Sequence, residues 1–129
     1  LKISILFLAQ FDAIKKIADE GPCILVGRCA DYALEEYDNV LSVFIHADLD
    51  ARIRRIARIY DLTDAKAKEM IIKTDKKRAS YYNYYSNKKW SSAESYDICL
   101  DSSILGIEGT AEAIEKLVEI KERDDNKKL

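Results

Sequence analysis

Histidine, proline and glycine are nearly missing from this sequence, which holds one histidine, one proline and 4 glycines in 129 residues. Nothing near His46 in sequence makes a triad or a metal site, so a structural role is expected for it. No serine sits in a nucleophile-elbow pattern, which removes that hydrolase signature. The three cysteines, Cys23, Cys29 and Cys99, are odd in number and form no CxxC pair, and no Cys/His spacing suits zinc. Free thiols in apolar surroundings behave as small hydrophobes and point to a reducing, cytoplasmic setting.

Long apolar runs are also absent. None approaches the roughly 20 residues that cross a bilayer, and Leu1–Leu8, though apolar, has no basic leader or small-residue cleavage pattern. A soluble protein with no membrane partner is expected. The formal net charge of -2 and pI near 5.5 argue against duplex DNA bound through the overall field, so any basic site must be local. There is no repeat, low-complexity tract or linker. One domain over residues 1–129 is the reading that follows.

What is present alternates. Leu1–Ile5 reads as a strand remnant, and Leu6–Asp19 as a helix with Phe7, Phe11, Ile14 and Ile17 on one face. Gly21 and Pro22 end that helix. Cys23–Val26 reads as a buried strand, Ala30–Glu36 as a short helix and Val40–Ile45 as a second strand. Asp48 is positioned to cap a helix over Leu49–Tyr60, with Ile53, Ile56 and Ile59 as its apolar stripe. Thr63 caps the next helix, with Ala65, Ala67, Met70 and Ile71 at buried positions and helical propensity running through Ala79. Asp97–Leu100 reads as a third strand. Ile107–Ile120 is an amphipathic helix with Ala111, Ile114, Leu117 and Val118 inward, and the tail from Lys121 is charged and expected to fray. Strands alternating with helices predict an α/β layer fold with a parallel sheet.

Charge and aromatic content mark two candidate sites. Arg28 follows Gly27 at a strand end, where open α/β sheets place ligands, and its guanidinium can hold a phosphate or base edge bidentately. The competing reading is an ion pair with Asp31 or Glu35. Asp31 either orients Arg28 or accepts from ligand amine or hydroxyl groups, although an acid in a first helical turn also complements the dipole. The second site is basic: Lys73, Lys76, Lys77, Arg78, Lys88 and Lys89 stand against one acid, Asp75. As chemistry this is a mobile cover that neutralises charge on transferring phosphates; the alternative is a solvated helix face. Tyr81, Tyr82, Tyr84 and Tyr85 are interleaved with it. They come in adjacent pairs that cannot all point one way, which favours packing over base stacking.

Together, LVGRCADYAL, NVLSVFIHA, DLDARIRRIARIY, KTDKKRASYYNYYSNKKW and YDICLDSSILGIEGTAEAI resemble the cytidylate-kinase-like family of P-loop nucleoside monophosphate kinases, from about Phe7 to Val118. The resemblance implies a three-layer parallel sheet of the P-loop kinase type, with a helical lid at about residues 62–92 and an incomplete N-terminal part. It implies phosphoryl transfer from ATP, with Mg2+, to a nucleoside monophosphate such as CMP or a related pyrimidine. Arg28, with Asp31, would then bind the acceptor. Arg55, and secondarily Arg52 or Arg58, would approach the phosphates from the lid base. Lys73 and Arg78 would close from the lid, and Asp75 would orient them or contact the acceptor.

Two departures accompany the resemblance. Cys29 stands where the family has an aspartate directly after Gly-Arg, which leaves the base unassigned. The family's first strand and glycine-rich phosphate loop have no counterpart here, and there is no Gly-Lys pair. The expectation is that residues outside the sequence supply them. The alternatives are a catalytically inactive kinase-fold protein, a single-strand RNA-binding module built on the Tyr/Lys surface, and a kinase for a non-nucleotide acceptor. Nucleic acid is the less favoured partner, and a homo-oligomer stays open.

Overall fold

Capping chemistry sets where the two central helices begin. The computed structural model describes residues 2–128, with side chains described for residues 5–123. The Asp48 carboxylate accepts from the Ala51 amide at 2.9 Å and starts a helix over Leu49–Tyr60, while Thr63 Oγ1 accepts from the Lys66 amide at 3.2 Å and starts a helix over Asp64–Ser86. Each side chain satisfies a backbone donor that has no partner inside its helix. Between them Asp61 is left-handed at φ 54°, and the Leu62 amide donates to the Ala57 carbonyl at 2.9 Å. That closes one helix and returns the chain along it.

In chain order the elements are α1 (Lys2–Glu20), α2 (Ala30–Ala33), β1 (Val43–His46), α3 (Leu49–Tyr60), α4 (Asp64–Ser86), a short 3-10 turn at Ala93–Ser95, β2 (Ile98–Asp101) and α5 (Ser102–Lys128). Strands β1 and β2 pair in parallel, Val43 opposite Ile98 and His46 opposite Asp101. The crossover between them contains α3 and α4. Side chains stitch both ends of the pair. At the start, the Ser42 amide donates to Asp97 Oδ2 and the Asp97 amide to Ser42 Oγ, each at 2.9 Å. At the carboxyl end, the Asp48 amide donates to Ser103 Oγ at 2.7 Å and Ser102 Oγ donates to the His46 carbonyl at 3.2 Å.

The core beside α1 is built from Ile14, Ala33 and Leu34, with Phe11, Leu25 and Tyr37 against it. Burying Ile14 and Leu34 contributes on the order of 2 kcal/mol each. On α4, Ala67, Ile71, Tyr82 and Ser86 are buried, a spacing of four, eleven and four residues that defines one inner stripe. Phe44 on β1 connects this stripe to the sheet. Its ring stacks on Tyr96 at 4.9 Å, and Tyr96 stacks on Tyr82 at 5.7 Å.

Several expectations are corrected. The three-strand sheet is a two-stranded one among the described residues. Cys23–Val26 is irregular, with Ile24 92% and Val26 89% exposed, because a strand needs a hydrogen-bonding neighbour and none lies beside it among the described residues. An apolar β-branched run is compatible with a strand but does not supply the partner. The strand expected at Leu1–Ile5 is helical from Lys2 onward, continuous with α1, and Leu1 lies outside the described residues. A short apolar run cannot by its own periodicity distinguish strand from helix.

The remaining differences concern helix length and facing. α4 runs seven residues beyond Ala79, to Ser86, and Asn87 ends it in left-handed geometry at φ 57°. α5 starts at Ser102, bends at Gly106 (φ 73°), and stays helical through Lys128 rather than fraying at Lys121. Ala111 and Val118 of α5, Ile59 of α3 and Ala65 and Met70 of α4 are exposed rather than inward.

Candidate functional site

A run of left-handed residues sets the position of Arg28. Gly27, Arg28 and Cys29 have φ of 74°, 58° and 56°, and the Ala30 amide donates back to the Gly27 carbonyl at 3.2 Å. Only glycine takes this conformation without a steric penalty, so the two non-glycine residues store about 1 kcal/mol or more each, as functional turns often do. The turn leaves Arg28 exposed and drives Cys29 inward to 4% exposure. Burial first, and then the charge of Asp31, push the Cys29 thiol up to about 11, which makes it a poor nucleophile. Arg28 forms no ion pair with Asp31 or Glu35 among the described residues. Its guanidinium is available at the rim of a groove formed with Gln10, Ile14 and Ile17 of α1.

The carboxylate of Asp31 faces α4 instead. Oδ1 accepts from the Tyr32 amide at 2.9 Å, and Oδ2 accepts from the Tyr82 hydroxyl at 2.6 Å. Burial, followed by the bond to Asp31, raises the Tyr82 hydroxyl far above its ordinary value, so it remains a donor across physiological pH. The next tyrosine ties α4 to α1: the Tyr81 hydroxyl donates to Gln10 Oε1 at 2.9 Å. Arg28 is close enough to Tyr81 to oppose electrostatically the rise in that hydroxyl's pKa, which burial dominates. Phe7 of α1 stacks on Tyr85 at 4.0 Å and 11°. The tyrosines of the basic segment therefore pack, with Tyr84, 73% exposed, as the outward one.

α3 and α4 are held together by a different pair. Arg52 on α3 grips Asp75 on α4 with two parallel hydrogen bonds of 2.8 and 2.7 Å. Arg55, on the same flank of α3 one turn later, is exposed. Asp75, Arg78 and Tyr82 follow one another at helical spacing on the inner stripe of α4, yet Arg78 is exposed and has no acid partner among the described residues. Lys73 is exposed too, but five residues of helix place it roughly 140° around the axis from Arg78, on the outer stripe with Lys77 and Tyr84. The structure thus gathers Arg28, Asp31, Tyr82 and Arg78 about one stretch of α4. It places Arg52 with Asp75 one to two turns earlier and sets Lys73 apart.

A family model described as the cytidylate kinase-like family matches residues 3–104. The chain belongs to the cytidylate kinase-like family. A protein named cytidylate kinase from Methanococcus vannielii is 31% identical over 104 residues, which are 78% of this chain and 59% of that protein. The chain thus spans less than two thirds of the length of this curated relative. The crystal structure of an uncharacterized protein from Eubacterium ventriosum ATCC 27560 superimposes with a TM-score of 0.87 at 30% identity, covering 90% of this chain and 73% of that one. Membership in the family supports a kinase-like function.

No three His, Cys, Asp or Glu side chains converge into a metal set among the described residues, and the sequence has no glycine-rich phosphate loop. None of the described residues is assigned to magnesium. No helix among the described residues is long and apolar enough to cross a membrane.

Two residues of this cytidylate kinase-like chain matter more in the fold than their sequence shows. Arg52, secondary to Arg55 by sequence, is the one that grips Asp75, and Tyr82 looks no different in sequence from the tyrosines around it. Tyr82 lies four residues beyond Arg78 and seven beyond Asp75. That signal becomes legible once α4 is known to continue to Ser86.

Proposed function

We propose that the protein takes part in ATP-dependent phosphoryl transfer to a nucleoside monophosphate, with CMP or a related pyrimidine nucleotide as acceptor. In this transfer an acceptor phosphate oxygen forms a bond to the γ-phosphorus of ATP, and the bond from that phosphorus to the departing ADP breaks. Such reactions depend mainly on positioning and charge neutralisation, so cations carry them. Arg28 holds the acceptor phosphate in a fork, and Asp31 accepts from the acceptor's hydroxyl or amine groups with the lone pairs that Tyr32 and Tyr82 leave free. Arg78 neutralises developing charge from the inner face of the lid, with Arg55 contributing from its base. Lys73 adds only to the long-range field, because it lies on the outer stripe. Asp75 orients the lid through Arg52 rather than touching the acceptor.

The observation that carries this reading is the bond between Tyr82 and Asp31, 2.6 Å long, which brings the acceptor turn against the lid helix one turn from an unpaired Arg78. Incubating the protein with ATP and magnesium and with CMP, dCMP or UMP, followed by separation of the nucleotides, tests it. A nucleoside diphosphate formed in step with ADP is the expected result. Failure with every acceptor by a folded protein would leave the inactive, regulatory kinase fold in its place. The RNA-binding alternative loses its main support, since the rings of Tyr81, Tyr82 and Tyr85 are engaged in contacts with other side chains.

A further inference from the structure

Asp31 is reached from the sheet by a ladder of rings. Phe44 on β1 stacks on Tyr96, Tyr96 stacks on Tyr82, and the Tyr82 hydroxyl ends on Asp31 Oδ2 at 2.6 Å. Phe44 is further braced by Trp90, edge-on at 5.3 Å. Tyr82 is 6% exposed, so its ring is held in the inner stripe of α4. Asp31, by contrast, sits in the first turn of α2, a helix only four residues long that follows the left-handed turn at Gly27, Arg28 and Cys29. A helix that short does not by itself hold a carboxylate in one rotamer. Beyond the local bond from the Tyr32 amide, the contact that orients Asp31 comes from α4.

We propose that Tyr82 is a positioning residue of the acceptor site, which fixes the Asp31 carboxylate and so sets how tightly the nucleoside monophosphate is held. This rests on the function proposed above, in which Asp31 contacts the acceptor. With Oδ2 bonded to Tyr82 and Oδ1 to the Tyr32 amide, the carboxylate is fixed at both oxygens while one lone-pair direction on each stays open. A ligand donor then meets a pre-oriented acceptor and does not have to order it on binding. The contact also links the turn to the lid helix that carries Arg78, so binding at the turn and the lid's position are coupled through one bond.

The test is a double-mutant cycle on the whole protein, with Tyr82→Phe and Asp31→Asn alone and together. Tyr82→Phe keeps the ring in its stack and removes only the hydroxyl, and circular dichroism and a thermal melt check that it folds. With CMP as varied substrate, Tyr82→Phe is expected to raise KM roughly tenfold, as loss of a charge-assisted hydrogen bond does, with kcat changed less than about twofold. In the Asp31→Asn background the same change is expected to have little further effect. An unchanged KM in Tyr82→Phe, a fall in kcat alone, or an equal rise in KM in both backgrounds would overturn the inference while leaving the kinase reading intact. Wild-type protein that neither phosphorylates CMP, dCMP or UMP nor binds them in calorimetry would overturn the kinase reading, and this inference with it.

Discussion

Arg52 and Asp75 meet through a two-pronged contact, 2.8 and 2.7 Å, across the junction of α3 and α4. Both side chains are about two-thirds to three-quarters buried, at 32% and 26% exposure, so water screens the pair only partly. The bond from Asp75 is also the main reason that Arg52 holds its proton more firmly than usual. The contact ties the middle of α4 to α3, Tyr82 and Asp31 tie its C-terminal part to α2, and Arg78 lies between.

Loss of the fork should loosen the lid base. Arg52→Lys keeps the charge and removes the planar geometry, and is expected to cost about 1 kcal/mol of stability, with Asp75→Asn similar. In a protein of this size that corresponds to a fall in Tm of roughly 3–5 °C. Thermal unfolding at low and high salt would measure it. A loss that vanished at high salt would show a screened surface pair rather than a geometric clasp.

Arg28 should separate activity from stability. Its side chain is exposed and has no acid partner among the described residues, while its backbone is left-handed at φ 58°. Arg28→Gly removes the steric penalty and is expected to raise stability by up to about 1 kcal/mol while abolishing phosphoryl transfer. Arg28→Lys should keep the fold and lower turnover by roughly tenfold or more, because the charge remains and the fork does not. Melting curves and the CMP assay check the two halves independently.

The two lid cations should differ. Arg78→Ala is expected to lower kcat by roughly a hundredfold with a smaller change in acceptor KM, the pattern of a contact made mainly in the transition state. Lys73→Ala should change either constant by less than about threefold, since Lys73 lies on the outward stripe. Equal losses from both substitutions would mean that α4 rolls about its axis when the lid closes.

The thiols offer a pH test. Cys29 is buried with its pKa raised from 9.0 to about 11, whereas Cys23 is exposed. Below about pH 9 the thiol is protonated in both the folded and unfolded chain and contributes no pH dependence. Between about 9 and 11 the unfolded chain releases the proton that the folded one keeps, so stability should fall as pH rises through that window. Urea unfolding at pH 8 and pH 10 would detect the fall, and Cys29→Ala should make it smaller. Alkylation of native protein at pH 8 should modify Cys23 first and Cys29 only after denaturation.

Local chemistry determined much of this protein. Asp48 and Thr63 mark the starts of α3 and α4 because a helix's first amides need an oxygen from within a few residues, and that requirement is written in adjacent positions. The segments containing β1 and β2, the packing of the paired tyrosines and the family resemblance were legible for the same reason: each is a pattern within a short stretch. Tertiary structure alone decided the rest. Cys23–Val26 has a strand's composition without the neighbour that would make it one. Arg28 had two acids within reach in sequence, Asp31 and Glu35, yet it pairs with neither among the described residues, and Asp31 accepts from Tyr82, fifty-one residues away. Arg52 rather than Arg55 grips Asp75, and which of two arginines three residues apart faces α4 is decided by how the helices pack. Hydrogen-bond partners across elements depend on where helices pack, and packing is a property of the whole folded chain.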